Sequence, residues 1–257
     1  MKNNNSNKTD FPLAVVVLAA GKGTRMKDPS KAKVMYEILG KPMIYYVLDL
    51  SVQLNPARLI VIVGYQREKV IDYLQRTYPD VEIVIQADQL GTGHAVMQAE
   101  KALSDFWGNV IILSGDVPLL SLQTVSRMLD LHNNNKASAT ILTAELEDPA
   151  GYGRIMRNAD GSVRKIVEDR DATEQEKAVK EVNSGIYVFN RNNLFESLKY
   201  ITPQNSQKEY YLTDVFEYFW KKGWKICAYK TDNPIEILGV NTIEQLERLS
   251  RFIGGKT

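Results

Sequence analysis

Leu13-Ala-Val-Val-Val-Leu-Ala-Ala-Gly-Lys-Gly-Thr-Arg-Met26 reads as a buried strand, a tight glycine turn and a pair of cations. Leu13 to Leu18 is a short valine-rich apolar run, as expected of a strand covered on both faces in a parallel sheet. Ala19, Ala20 and Gly21 have almost no side chain, so a ligand can approach the backbone there. Gly21 and Gly23 permit backbone angles that other residues resist. N–H groups of such a loop converge on anions, and Lys22, Arg25 and the later Lys33 add positive charge. The expected guest is phosphate. The spacing is not G-x-x-x-x-G-K-[ST], which excludes a P-loop. Met26 excludes G-x-G-x-x-G, and the next strand, Leu59 to Val63, comes far later than the ~20 residues after which a dehydrogenase fingerprint places its acidic residue. An ordinary strand-to-helix turn with surface cations remains the plain alternative.

Composition bounds the rest. With 257 residues the chain can bury a substantial core, and 44% hydrophobic with 25% charged residues matches a globular protein. A net charge of +1 gives no global pull toward nucleic acid or anionic membrane. No apolar run approaches the ~20 residues of a membrane helix. The single cysteine, Cys227, reads as core filler in a reducing, cytoplasmic setting. Met1 to Asp10 is polar and asparagine-rich, as expected of a disordered tail.

Past the glycine loop, Gly40-Lys-Pro-Met43 opens a helix, with Pro42 suited to its first turn. Strands are expected at 59–63, 81–85, 110–113 and 138–144, alternating with helices at 67–78, from His94, and from a Ser121 cap. This alternation argues an α/β fold: a Rossmann-like, mixed but mostly parallel sheet flanked by helices. Beyond 145 the pattern is less regular. Strands are expected from Gly151, at 163–167, 185–189, 224–230 and 235–240, with an aromatic helix led by Glu209-Tyr-Tyr-Leu-Thr-Asp214. Thr173 with Glu176, and Thr242 with Gln245, read as helix caps. We expect 11–257 to form one domain with parts at 11–145, 146–241 and a closing helix at 242–257.

Ligands of open parallel sheets bind beyond the carboxyl ends of the strands. Those ends carry the glycine loop, Gln86 to Thr92, and Gly115-Asp116, with Glu168, Asn183 and Asn241 later. Asp116 either caps a turn or holds a divalent cation; beside a phosphate loop the metal reading is favoured, since Mg2+ takes one or two protein oxygens plus phosphate and water. Gln86 can donate and accept at once, as reading a base edge requires. Gly91-Thr92 lets backbone approach a flat ring, and Glu168 and Asn183 can bind sugar hydroxyls; each could equally be a satisfied turn residue. His94 and His132 share no metal-ligand spacing, and His94 reads as a helix-start residue. Arg164, Lys165, Lys221 and Lys222 read as solvated faces.

Taken together, L-A-A-G-K-G-T-R-M, Lys33 before V-M-Y-E-I-L-G-K-P-M, Q-A-D-Q-L-G-T-G-H-A, G-D-V-P-L, G-Y-G-R-I, I-V-E-D, E-V-N-S-G-I, E-Y-Y-L-T-D and G-V-N resemble the sugar-1-phosphate nucleotidyltransferases. The likeness is greatest to the N-terminal uridyltransferase domain of bacterial bifunctional N-acetylglucosamine-1-phosphate uridyltransferase/glucosamine-1-phosphate acetyltransferases, from about Leu13 to Leu249. The resemblance implies Mg2+-dependent uridylyl transfer from UTP to N-acetylglucosamine 1-phosphate. It implies that Ala20, Gly21, Lys22, Gly23, Thr24 and Arg25 hold the phosphates, with Lys33 offsetting charge at the reacting groups. Gln86, Gly91 and Thr92 would face uracil, Asp116 and Asn241 the metal, and Gly153, Glu168 and Asn183 the sugar. The resemblance thus implies that the part at 11–145 is nucleotide-binding, that at 146–241 sugar-binding, and the helix at 242–257 C-terminal to both. Two residues depart from the pattern: Ser114 where an aromatic residue is expected, and Ala32 where a proline precedes the lysine, which would loosen that loop. No hexapeptide repeats follow, so acetyl transfer and trimerisation through that half are not expected. Open rivals are thymidylyl transfer to glucose 1-phosphate and a non-catalytic sugar-nucleotide sensor.

Overall fold

The computed structural model describes residues 11–26 and 28–255; the expected tail at 1–10 lies outside them. Its strands are β1 (Leu13–Ala19), β2 (Glu37–Ile38), β3 (Lys41–Pro42), β4 (Arg58–Val63), β5 (Glu82–Ile85), β6 (Asn109–Ser114), β7 (Ala139–Glu145), β8 (Arg154–Arg157), β9 (Val163–Val167), β10 (Glu181–Asn190) and β11 (Ile226–Lys230). The helices are α1 (Met43–Gln53), α2 (Arg67–Thr77), α3 (Thr92–Met97), α4 (Leu122–Asn134), α5 (Glu174–Lys177), α6 (Arg191–Leu198), α7 (Val215–Lys221) and α8 (Ile243–Gly254).

The main sheet runs β11-β7-β10-β6-β1-β4-β5, with β8 joined to β10 and β9 to β8. β1 lies parallel to β4 and β6, β4 to β5, and β7 to β11, while β10 is antiparallel to β6, β7 and β8. Alternate residues of β1 serve two cores. Val15 and Val17 pack with Leu48, Leu74 and Met128 on one face; Ala14 and Val16 pack with Leu103, Phe189 and Phe216 on the other. That two-sided burial is why the strand reads as an unbroken apolar run. A third cluster joins Met26, Ile38, Met43, Val240 and Leu249, seating α8 against the β2–β3 hairpin. Both expected capping boxes are present, Thr173 with Glu176 and Thr242 with Gln245, and Ser121 caps α4 by accepting from the Thr124 N–H. No helix among the described residues is long and apolar enough to cross a membrane.

Three local expectations are corrected. The stretch 235–240 is not a strand: Pro234–Ile237 forms a 3-10 turn, closed by Glu236 N–H to the Asn233 carbonyl at 3.1 Å and Leu238 N–H to the Ile235 carbonyl at 3.2 Å. Pro234 at the first position of the turn supplies the fixed φ that starts it. Pro42 stands at the N-cap of α1, at the end of β3, rather than within the first turn. The strand read at 185–189 is the second half of the ten-residue β10, whose pairing with β7 shifts register between Asn183 and Tyr187. Such a bulge re-aims side chains without ending a strand, and Asn183 sits on it.

Candidate functional site

The glycine loop leaves the carboxyl end of β1 and is pinned where it ends. Met26 donates its N–H to the Gly23 carbonyl at 2.8 Å and is itself buried. Tyr36 donates its hydroxyl to the Met26 carbonyl at 2.9 Å. The methionine that breaks the dinucleotide pattern is thus the anchor of the turn. Gly23 has φ +60°, and a methyl group there would lie 2.7 Å from Lys33 Cβ. The glycine lets Lys33 come in close beneath the loop. Ala32, just before it, takes φ −61° and ψ 138°, the conformation proline imposes. The backbone here has the φ that a proline would fix, without the ring that would fix it.

Lys33 Nζ donates to Asp116 Oδ2 in a close ion pair and to Asn241 Oδ1 at 2.7 Å. Arg25 Nη2 donates to the same Asn241 oxygen at 2.9 Å. Asp116 is placed from behind: its carbonyl accepts from the Val240 N–H at 2.9 Å, so the loop carrying Asn241 is tied to the loop after β6. Residues separated by 83 and 208 positions thereby share one cation. Among the described residues there is no group of three or more His, Cys, Asp and Glu able to cage a metal. The oxygens present still fit Mg2+: Asp116 Oδ2 and Asn241 Oδ1 already converge on one positive charge, that of Lys33, and such an ion needs only one or two protein oxygens when phosphates complete its shell.

Two cavities adjoin this cluster. The larger, about 440 Å³, is lined by Ala20 to Thr24, Lys33, Asp116, Gln86, Gly91 and Thr92, among others. The smaller, about 280 Å³, holds Gly153, Glu168 and Asn183. They share Leu18, Thr92, Ser114 and Glu209, which form the neck between them. Arg25 and Asn241 line neither; they stand beside the larger cavity through Lys33. Thr92 turns its hydroxyl toward the Leu212 N–H at 3.1 Å, and Gly93 N–H donates to the Tyr210 carbonyl at 2.8 Å. The first turn of α3 is so bound to the segment leading α7.

In the smaller cavity Glu168 Oε1 accepts from the Thr213 hydroxyl at 2.8 Å, and burial holds the Glu168 carboxyl above its ordinary range. Asp214, next in sequence, is pushed up to about 6, by burial first and then by Glu168, Glu217 and Asp171. Asn183 Nδ2 donates to the buried Tyr187 hydroxyl at 2.7 Å, and its oxygen accepts from the Gly185 N–H at 3.3 Å. A methyl on Gly153 would stand 3.5 Å from both Glu168 Oε2 and Asn183 Cβ, so these three converge. Sequence reading assigned no role to Glu209, Tyr211 or Thr213, although all three line this cavity. The available signal was polar residues interleaved in the aromatic run 209–214.

The arrangement is a cavity carrying Lys22 and Lys33, joined through a neck to one carrying Glu168, Asn183, Tyr211 and Thr213. A family model described as nucleotidyl transferase matches residues 14–233. Similar curated proteins include the bifunctional protein GlmU of Latilactobacillus sakei, 49% identical over 238 residues, which are 93% of this chain and 51% of that one. Another is the bifunctional protein GlmU of Pelotomaculum thermopropionicum, 42% identical over 241 residues, 94% and 52% of the two chains. The chain spans about half the length of the curated relatives it matches. A crystal structure of UDP-glucose pyrophosphorylase complexed with UDP-glucose covers 96% of this chain and 100% of its own, with a TM-score of 0.80 at 19% identity. At that identity the likeness speaks for the fold.

Proposed function

The chain belongs to the nucleotidyl transferase family, and on that premise we propose that it transfers a uridylyl group from UTP to N-acetylglucosamine 1-phosphate, releasing pyrophosphate. The observation that carries the reading is the pair of cavities meeting at Leu18, Thr92, Ser114 and Glu209, with Lys33 and Asp116 on the larger side only. A nucleoside triphosphate suits the larger cavity and a sugar the smaller, which brings the two phosphates together at the neck.

The chemistry asks little of a base. A sugar phosphate is already an anion at neutral pH, so the obstacle is bringing one anion onto another, and catalysis rests on positioning and charge. An oxygen of the sugar phosphate forms the new bond to the α-phosphorus. The bond from that phosphorus to the bridging oxygen breaks, and pyrophosphate departs with the electron pair. Backbone N–H groups of residues 20–24 orient the triphosphate, while Lys33 and Arg25 offset charge as it moves. Asp116 and Asn241 would hold Mg2+, which would supply further positive charge at the phosphates. Glu168, Asn183 and the Gly153 backbone orient the sugar. The lone thiol, Cys227, is compatible with a cytoplasmic setting.

The deciding experiment incubates the protein with Mg2+ and a matrix of nucleoside triphosphates and sugar 1-phosphates, reading pyrophosphate release. The fastest release is expected with UTP and N-acetylglucosamine 1-phosphate. A preference for dTTP with glucose 1-phosphate would replace the substrates, and no release from any pair would leave a sugar-nucleotide binder instead of an enzyme.

A further inference from the structure

His94 belongs to none of the roles above, yet it touches the residue expected to face the base. Gln86 is 3% exposed. Its backbone N–H donates to the Val63 carbonyl at 2.8 Å, and its carbonyl accepts from Gln89 Nε2 at 3.0 Å. With the backbone held, the side-chain amide is what can still turn. Gln86 Nε2 lies 3.1 Å from the Gly91 carbonyl oxygen and 3.0 Å from His94 Nδ1. A carbonyl only accepts, so the amide atom facing Gly91 is the nitrogen. Its second N–H then meets an acceptor at His94 Nδ1 only when the imidazole is neutral and carries its proton on Nε2.

The far side of the ring makes the choice a real one. Gln98 Nε2 lies 3.0 Å from the His94 carbonyl and 3.2 Å from His94 Nε2. A neutral imidazole accepts at one nitrogen, so two glutamines compete for it. Gln98 is half-exposed and can turn its second N–H to water. Gln86 is buried, where an unmet donor costs far more. The competition therefore resolves in favour of Gln86.

We infer that His94 is a positioning residue for nucleotide selection: its Nδ1 holds the Gln86 amide nitrogen inward, so that the amide oxygen faces the cavity. Gln86 lines that cavity, and among the described residues no buried side-chain nitrogen or oxygen lacks a partner. With Nε2 engaged twice, Oε1 is the atom that opens to the ligand. Gly91 is committed to this geometry, because at φ +111° a methyl there would lie 2.5 Å from the Tyr210 carbonyl oxygen. An inward amide nitrogen sorts pyrimidines. Uracil and thymine present a ring N–H at N3, which Oε1 accepts; cytosine presents a lone pair there, which Oε1 repels. The inference rests on the nucleotidyl transfer proposed above and names what selects its nucleotide.

The test compares UTP with CTP as the ratio of kcat/KM values in the wild type, His94→Leu and His94→Asn. Leucine removes the acceptor, while asparagine keeps an oxygen near the Nδ1 position. His94→Leu is expected to lower the ratio by about tenfold or more, mainly through a higher KM for UTP, and His94→Asn to stay within about threefold of wild type. A purely structural role for His94 would depress both nucleotides alike. The chain has two histidines, so nitrogen-15 NMR can read the His94 tautomer in the wild-type protein, with the proton expected on Nε2. An unchanged ratio in folded His94→Leu, or a proton on Nδ1, overturns the inference. If His94→Leu does not fold, the tautomer and His94→Asn decide. Wild-type protein that releases no pyrophosphate from any pair overturns the transfer reaction, and the tautomer still decides the role of His94.

Discussion

Gly23→Ala, set against Gly21→Ala, separates what the glycine loop owes to the fold from what it owes to a ligand. At Gly23, φ is +60° and the new methyl would stand 2.7 Å from Lys33 Cβ and 3.2 Å from Lys33 Cγ. The left-handed conformation costs an L-residue about 1–2 kcal/mol. Lys33 Cβ is rooted in the backbone and cannot swing aside, so the overlap adds the roughly 1–3 kcal/mol usual for overpacking. Gly23→Ala should therefore destabilise by about 2–5 kcal/mol, which at this chain length lowers Tm by about 4–20 °C. It should also displace Lys33 from Asp116 and Asn241, and misplacing a reacting group by about 1 Å can cost about 10²-fold in rate. Gly21 is different: its φ lies outside the left-handed range and its methyl would meet no protein atom within 4 Å. Stability should then change by less than about 0.5 kcal/mol, while KM for the nucleotide rises, because Gly21 lines the larger cavity. Thermal and urea melts with steady-state kinetics on the three proteins check both halves. Equal losses of Tm in the two variants, or an unmoved KM in Gly21→Ala, would refute the division.

Two further outcomes are expected. Lys33→Ala should lower kcat by about 10²-fold or more, the scale of losing one preorganised charge, and Asp116→Ala should lose most activity and need more Mg2+ to reach half of what remains; turnover like wild type in both would sink the assignment. Asp214→Asn should stabilise the protein above pH 6 and not below pH 4. Its carboxyl rises from an ordinary 3.8 to about 6 in the fold, so the folded state holds the proton more tightly. The stabilisation this gives is full below about pH 4 and is lost as pH rises through about 6. The side chain is partly open to water, so the gain is on the order of 1 kcal/mol after screening, measured as Tm against pH.

What was legible in the sequence was what local pattern encodes. The valine run of β1, the alternation through β7 and the caps at Ser121, Thr173 and Thr242 all follow from period, propensity and side-chain chemistry within a few residues. The misread stretch 235–240 is the converse: a short apolar run has no period to distinguish strand from turn, and the proline just before it was the signal for the turn. The site divides the same way. Gly21, Lys22 and Gly23 stand together and are read locally, whereas the convergence of Lys33, Asp116 and Asn241 depends on contacts across 83 and 208 positions. The hold of His94 on Gln86 went unread because residue types alone do not say which way an amide turns.

The place of β10 bears on how the chain is made. β6 and β7 are neighbours in sequence but not in the sheet, because β10 runs between them. A nascent chain that has emerged only to Lys180 can pair β1 with β4 and β6 and β4 with β5, but β6 then ends the sheet as a bare edge. Val110, Ile111 and Ile112, fully buried in the finished protein, stand along that edge, the kind that recruits foreign strands. In the finished sheet β7 pairs with β10 and β11, and not with β6. The seam closes when β10, a late strand, enters the middle of the sheet. A fragment ending at Glu145 would on this account be an aggregation-prone half-sheet, its β6 edge open until residues 181–190 arrive.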